Sequence, residues 1–218
     1  MKTVTPIPTP TTFFLPADDL RAAFQCVSTE ATRYYLKGVF VEANKLIGLD
    51  GCQMLTIDLP GGHHVGADCF TQGMGGPQIP GVARDGAGFI LSCDAADKAF
   101  KSGGDLWVYG DTVTGIMQFL INHGKGGDLT RVGVLEFSVI DGTYPEWRRV
   151  VARGDGGVHS LCYNPAVLAK LIKAGDVIYK GRAIRLTGGP SEGDPIRVDF
   201  KASDRLRGTI MPMRWDKA

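Results

Sequence analysis

No stretch of this 218-residue chain approaches the ~20 consecutive apolar residues that a helical membrane span requires, so no such span is expected. Cysteine is scarce and unpatterned. The five (Cys26, Cys52, Cys69, Cys93, Cys162) are odd in number and show no Cys-x-x-Cys spacing, which argues for reduced thiols and against a disulfide framework or a zinc knuckle. Neither sign of charge is in excess: 24 Lys and Arg against 23 Asp and Glu give a net charge of +1. That balance neither requires nor excludes nucleic acid, because phosphate affinity depends on where cations cluster. The chain also lacks the common catalytic strings. Gly124-Lys-Gly-Gly-Asp-Leu-Thr130 departs from G-x-x-x-x-G-K-[ST] and no clear helix follows it, and adjacent His159 and Ser160 have no G-x-S-x-G elbow or third triad member.

The apolar fraction of 44% and the charged fraction of 22% fit a chain able to bury a core of one or two domains. Residues 1–11 are rich in Pro and Thr and lack the continuous apolar stretch of a secretory signal, so they read as an extended arm of a cytoplasmic protein. Past the arm, one short pattern occurs three times: Leu15-Pro-Ala-Asp18, Leu91-Ser-Cys-Asp94 and Leu161-Cys-Tyr-Asn164. Each ends in Asp or Asn, whose side-chain oxygen suits a helix N-cap, and Pro165 stands where proline suits the first helical position. The apolar sets Leu20/Ala23/Phe24/Val27, Ala95/Ala96/Ala99/Phe100 and Val167/Leu168/Leu171/Ile172 follow at helical spacing. Strand-like segments come next, among them residues 38–42, 106–109, 133–138, 177–179 and 196–200. The expectation is an α+β chain of three strand–helix–strands modules, over 12–82, 86–151 and 156–218.

Two glycine-rich stretches, 60–77 and 122–128, fall outside this pattern and read as exposed connections. The first carries His63, His64, Asp68 and Cys69, all metal-ligand residue types. Adjacent histidines point apart on a strand and lack the i, i+4 spacing of ligands on one helical face, so a solvated loop is the favoured reading. No metal and no cofactor are expected.

Three strings are more specific: Thr32-Arg-Tyr-Tyr-Leu-Lys-Gly-Val-Phe-Val-Glu42 with the later Asp50-Gly51, then Ile140-Asp-Gly-Thr-Tyr-Pro-Glu-Trp-Arg-Arg-Val-Val151, then Gly208-Thr-Ile-Met-Pro-Met-Arg-Trp215. In content and order they resemble the bacterial sliding clamp, the β subunit of DNA polymerase III, which writes them R-Y-Y-L-N-G, T-D-G-H-R-L, D-G-x-[FY]-P-[DE]-[YW]-R-R-V and M-P-M-R. The resemblance implies the DNA-clamp fold, in which βαβββ halves pair into domains with helices packed on curved antiparallel sheets. Residues 12–151 would be one complete domain, and 156–218 the second half of another. It also implies a protein without an active site that holds a polymerase or repair protein on duplex DNA.

Carried over position by position, an apolar groove for clamp-binding peptides would comprise Leu49, Gly51, Cys52, Gln53, Met54, Pro145, Val150, Thr209, Met211, Pro212, Met213 and Arg214. Methionine suits such a surface because its flexible, polarizable side chain repacks around different ligands. Cys52-Gln53-Met54 stands where the family has His-Arg-Leu, so a cation at the rim is lost. Duplex DNA would face Arg21, Lys98, Lys101, Lys170 and Lys173 on the helices, through contacts that carry no base information. The implied partners are duplex DNA, a polymerase or other protein with a clamp-binding motif, a clamp loader, and further copies of the chain. Three halves are an odd number, so self-association through 156–218 into a dimer or a tetrameric ring is expected. The rival reading from the same resemblance is an adaptor or decoy that keeps the groove and forms no ring; a metal enzyme built on the His63 segment is the more distant alternative.

Overall fold

The computed structural model describes residues 12–42, 44–60, 64–66, 88–92, 106–122, 129–154, 162–179, 183–191 and 193–213. Strand β1 (Thr12–Pro16) enters helix α1 (Ala17–Phe24), followed by β2 (Val39–Val41), β3 (Lys45–Leu49), β4 (Gln53–Asp58) and β5 (His64–Gly66). Then come β6 (Phe89–Ser92), β7 (Leu106–Asp111), β8 (Ile116–Asn122), β9 (Leu129–Glu136) and β10 (Ser138–Ile140). Helix α2 (Pro165–Ile178) precedes β11 (Ile184–Thr187), β12 (Ile196–Phe200) and β13 (Ser203–Ile210). These strands form two antiparallel sheets, ordered β5-β1-β7-β8-β9 and β10-β6-β2-β3-β4-β13-β12-β11.

Strands β1 and β6 each pair with a strand of their own range, β5 and β10, and with one from the other range. β1 pairs with β7, and β6 pairs with β2, so these two strands knit residues 12–66 to residues 88–140. Alternation along the strands then sorts side chains by face. Leu46, Leu55 and Ile57 point toward the helices and join Leu20, Ala22, Ala23, Leu91 and Val108 in the main core. Helix α1 lies close enough to β3 that a Cβ at Gly48 would stand 2.3 Å from the Ala23 carbonyl oxygen, so only glycine fits there.

Four local expectations change. Asp18 is not the α1 cap: the helix starts at Ala17 after Pro16, with no side-chain cap, and Asp18 lies inside its first turn, where an acidic side chain suits the positive end of the helix. Residues 177–179 are not a strand, since α2 runs through Ile178 and ends at Tyr179, its length set by burial of Val167, Leu171 and Ala174. His64–Gly66 is not a loop but strand β5, because the open edge of β1 accepts it. Asn122, expected in a loop, is the last residue of β8, and residues 123–128 lie outside the described residues. The cap at Asn164 is as expected, its Oδ1 accepting the Ala166 N–H at 2.9 Å with Pro165 in the first turn, while Asp94 lies outside the described residues. The helix expected over 95–100 and most of the two glycine-rich stretches lie outside the described residues.

The third module joins the first through both layers. β13 pairs with β4 from Leu206 opposite Ile57 to Ile210 opposite Gln53, and α2 packs on α1. α1 therefore covers one face of α2 within the same chain. Arg205 of β13 completes the junction. Its guanidinium donates to both carboxylate oxygens of Asp19 in α1 at 2.9 and 3.1 Å, to the Asp58 carbonyl of β4 at 2.7 Å and to the Tyr179 hydroxyl after α2 at 3.4 Å. Burial works against the charge, but the bonds to Asp19 and Tyr179 outweigh it and raise the Arg205 pKa. Asp19 is 2% exposed, so an unpaired charge there is costly. Arg205→Met takes the cation from the buried Asp19 carboxylate and is expected to cost about 3–5 kcal/mol in urea unfolding. A loss below about 1 kcal/mol would rank the pair with solvent-screened surface pairs.

Candidate peptide-docking surface

On the face of β3 and β4 turned away from the helices, Ile47, Leu49 and Met54 form a second, smaller core with Leu36 and Trp147. Tyr35, Phe40, Tyr144, Val150 and Val151 pack around it, half-buried. Residues 144–151 reach this face from after β10 and are fastened by one carboxylate. Glu42, 5% exposed at the end of β2, accepts the Trp147 indole N–H at 3.2 Å and a two-pronged pair from Arg148 at 3.1 and 2.9 Å. The Arg148 guanidinium also lies 4.4 Å from the Trp147 ring centroid, a cation–π arrangement. Tyr144 stacks on Phe40 at 4.6 Å and donates its hydroxyl to the Ile47 carbonyl at 3.2 Å.

The Asp50-Gly51 turn between β3 and β4 is built just as locally. Asp50 Oδ1 accepts the N–H groups of Cys52 and Gln53, both at 2.9 Å, which is the Asx-turn device. Gly51 has φ +94°, a backbone conformation that favours glycine, and the Arg33 guanidinium lies against it. Arg33 thus brings the Tyr-Tyr-Leu string against the turn, while its own Nε pairs with Glu30 at 3.3 Å. The chain end arrives on the other side. Met211 N–H donates to the Cys52 carbonyl at 2.9 Å, Met213 N–H to the Cys162 carbonyl at 2.8 Å, and the buried Thr209 hydroxyl accepts the Ala152 N–H at 3.4 Å.

All the strings read from the sequence therefore meet on one face. Of the expected groove residues, Leu49, Met54 and Thr209 are buried in its floor, Val150 and Pro212 are half-buried, and Gly51, Cys52 and Pro145 are exposed. Met211 and Met213 are 40% and 53% exposed, large apolar side chains left at the surface beside the turn. Gln53 is the exception: it lies opposite Ile210 on the helix side, since strand alternation turns it away from Met54. Its Oε1 is buried without a hydrogen-bond partner among the described residues, while its Nε2 donates to Asp50 Oδ2 at 3.1 Å. Arg214 lies outside the described residues. The anchors Arg33, Glu42, Tyr144, Trp147 and Arg148 were missing from the expected site. A lone carboxylate ending the apolar run Val-Phe-Val was the one available hint of Glu42, since its partners lie 105 and 106 residues away.

The helix-face cations are less well gathered. Lys170 donates to Asp50 Oδ2 at 3.0 Å, Arg21 is half-buried, Lys173 is exposed, and Lys98 and Lys101 lie outside the described residues. Among the described residues no cluster of His, Cys, Asp and Glu is arranged to hold a metal.

Comparison with solved structures places the same shape on known proteins. A DnaN sliding clamp (DNA polymerase III subunit beta) from Bartonella birtlesii, bound to griselimycin, superposes with a TM-score of 0.57 at 17% identity, over 99% of this chain and 69% of that one. A DNA polymerase sliding clamp from Pseudomonas aeruginosa gives a TM-score of 0.58 at 14% identity, over 96% of this chain and 68% of that one. The chain has the sliding-clamp fold and spans about two thirds of the length of these clamps. No protein-family model matches it, and no curated protein does.

Cysteine chemistry offers a handle on this surface. Burial first, and the nearby Asp50 charge second, push the Cys26 thiol pKa up against the opposing pull of Lys170, whereas Cys52 is exposed at the turn. Because the thiolate is the reactive form, Cys26 is expected to stay unmodified in the native protein while Cys52 takes up a maleimide at neutral pH. Peptide mapping after labelling, with Cys52→Ser as control, checks this; label on Cys26 before unfolding would contradict the packing of α1.

Proposed function

We propose that this chain is a non-enzymatic docking factor of DNA replication that receives a short apolar segment of a polymerase or repair protein on the surface between residues 145–150, the Asp50-Gly51 turn and the Met211-Pro212-Met213 tail. The observation that carries the reading is the convergence on one face of three separated strings, fastened there by Glu42 and by the Met211 backbone contact. Exposed methionines beside a preformed aromatic floor suit a partner whose apolar residues vary. The test removes residues 211–218 and follows a fluorescent clamp-binding peptide by anisotropy. Affinity is expected to fall at least about tenfold, equivalent to about 1.4 kcal/mol, with the circular dichroism of the two sheets retained. Unchanged affinity in the truncated chain would end this reading.

Two forms of the function differ in topology. In the ring form, chains associate through residues 156–218 into a dimer or a tetrameric ring around duplex DNA, with a clamp loader as helper and Arg21, Lys98, Lys101, Lys170 and Lys173 facing phosphates. In the adaptor form no ring is made, and the chain captures clamp-binding segments directly. The helix face favours the adaptor: Lys170 is engaged by Asp50, and Arg21 shares its turn with Asp18 and Asp19. Light scattering with and without duplex DNA separates the two. The adaptor is expected to keep its mass on DNA and to show no change in salt dependence when Lys98, Lys101, Lys170 and Lys173 are neutralised. A ring would grow to four chains and lose about 0.9 of log–log salt slope for every phosphate contact removed.

A further inference from the structure

Strand β11 is the last strand of the eight-stranded sheet, and among the described residues nothing pairs with its far edge. The ladder fixes which of its backbone groups are available. Lys201 N–H donates to the Ala183 carbonyl at 2.9 Å, and Ile184 lies opposite Phe200 in the same register. Antiparallel pairs alternate between bonded and non-bonded, so Arg185 and Thr187 direct their N–H and C=O groups at β12. Those of Ile184 and Leu186 point away from the sheet, where a further strand would meet them. Such an edge is a template for an extended chain.

Side chains narrow the choice of chain. Ile184 and Leu186 lie on the helix side against the main core, and Arg185 lies on the outer face, its side chain 77% exposed. Behind it Arg197, Lys201 and Arg207 help to line a concavity of about 480 Å³, to which Asp199 and Asp204 contribute the carboxylates. Asp199 is shared, accepting from Arg197 Nε at 2.7 Å and from Arg185 Nη2 at 3.4 Å, and this holds both guanidinium groups on the face. Neither Lys201 nor Arg207 has an ion-pair partner among the described residues. Four cations therefore share two carboxylates.

That arrangement fits an acidic partner better than the two other candidates. Two copies joined at β11 across a two-fold would set both basic patches side by side, and like charges in register oppose pairing. Single-stranded nucleic acid is held by stacking as well as charge, and the aromatic residue lining the concavity, Phe200, is 6% exposed. We propose that β11 captures an extended segment of a partner protein as a ninth strand, one in which acidic side chains alternate with apolar ones. The carboxylates would lie beside Arg185 on the outer face, within the field of Lys201 and Arg207 further in, and the apolar side chains would continue the Ile184 and Leu186 face. This rests on the adaptor form above and uses a surface separate from the groove.

The probe is a fluorescein-labelled peptide of alternating valine and glutamate, followed by anisotropy, with an alternating valine and lysine peptide as control. The acidic peptide is expected to bind with an affinity that falls as salt rises, and the basic one to bind at least about tenfold more weakly. Leu186→Pro removes an outward N–H and no ladder bond, a position where an edge strand tolerates proline, and is expected to weaken binding about tenfold. Replacing Arg185, Lys201 and Arg207 together by Gln is expected to do the same and to abolish the salt dependence. Both variants must bind the clamp-binding peptide as the parent does, which certifies the fold and separates this site from the groove. The proposal is overturned by equal affinity for the two peptides, by indifference to Leu186→Pro, by tighter binding of an oligonucleotide, or by a dimer that Leu186→Pro dissociates.

Discussion

One buried charge pair decides whether this chain is a single body. The third module meets the first along an edge-to-edge ladder of five residue pairs, and ladders of that length are marginal unless something covers their faces. Arg205 supplies the missing specificity. Its five N–H groups reach α1, β4 and the residue after α2 at once, so the ladder register, the helix packing and the end of the last helix are satisfied in one arrangement. A strand slip of a single residue would carry Arg205 along the sheet away from Asp58 and Asp19 and leave Asp19 buried without its cation. The docking surface inherits this register, because Thr209 and Met211 follow Arg205 on the same strand and its continuation. Where the tail lies relative to Met54 is set four residues upstream.

The docking surface rests in turn on a division of labour between the two faces of one strand pair. β3 and β4 bury Leu46, Gly48, Leu55 and Ile57 against the helices and Ile47, Leu49 and Met54 against residues 144–151. A sheet apolar on both sides needs a second cover, and residues 144–151 are that cover. They contain little regular structure beyond one turn of 3-10 helix at Trp147–Arg149, so their placement depends on side chains, above all on Glu42. Cover and docking surface are thus the same segment: the residues that shield the second core also expose Pro145 and present Val150.

The strings Tyr-Tyr-Leu, Asp-Gly, Tyr-Pro-Glu-Trp-Arg-Arg and Met-Pro-Met were legible in the sequence because each is unusual on its own, and most strands were legible from alternation. What was not legible is instructive. The end of α2 was misread because Val177 and Ile178 favour strands locally, while α2 continues along the same buried face as Leu171 and Ala174. Asp18 suits a cap by residue type, but α1 starts at Ala17 directly after Pro16, which places Asp18 inside the first turn. Gln53 was assigned to the groove by position in a string, whereas the period of two places it on the other face. Glu42, the anchor of the surface, belongs to a kind of signal that a single sequence does not display, a pairing across long separation.

Gly48 has a mechanical consequence. With the Ala23 carbonyl seated against the backbone of β3, α1 has no layer of side chains at that point over which to glide. Shear between helix and sheet, the ordinary way packed layers accommodate strain, is blocked there. Displacement of the third module against the first is then channelled into flexure of the sheet about the line between β4 and β13. That line runs beneath Met54 and Thr209, so bending it would widen or narrow the gap between the tail and residues 145–150, and a partner gripping both sides would act as a splint.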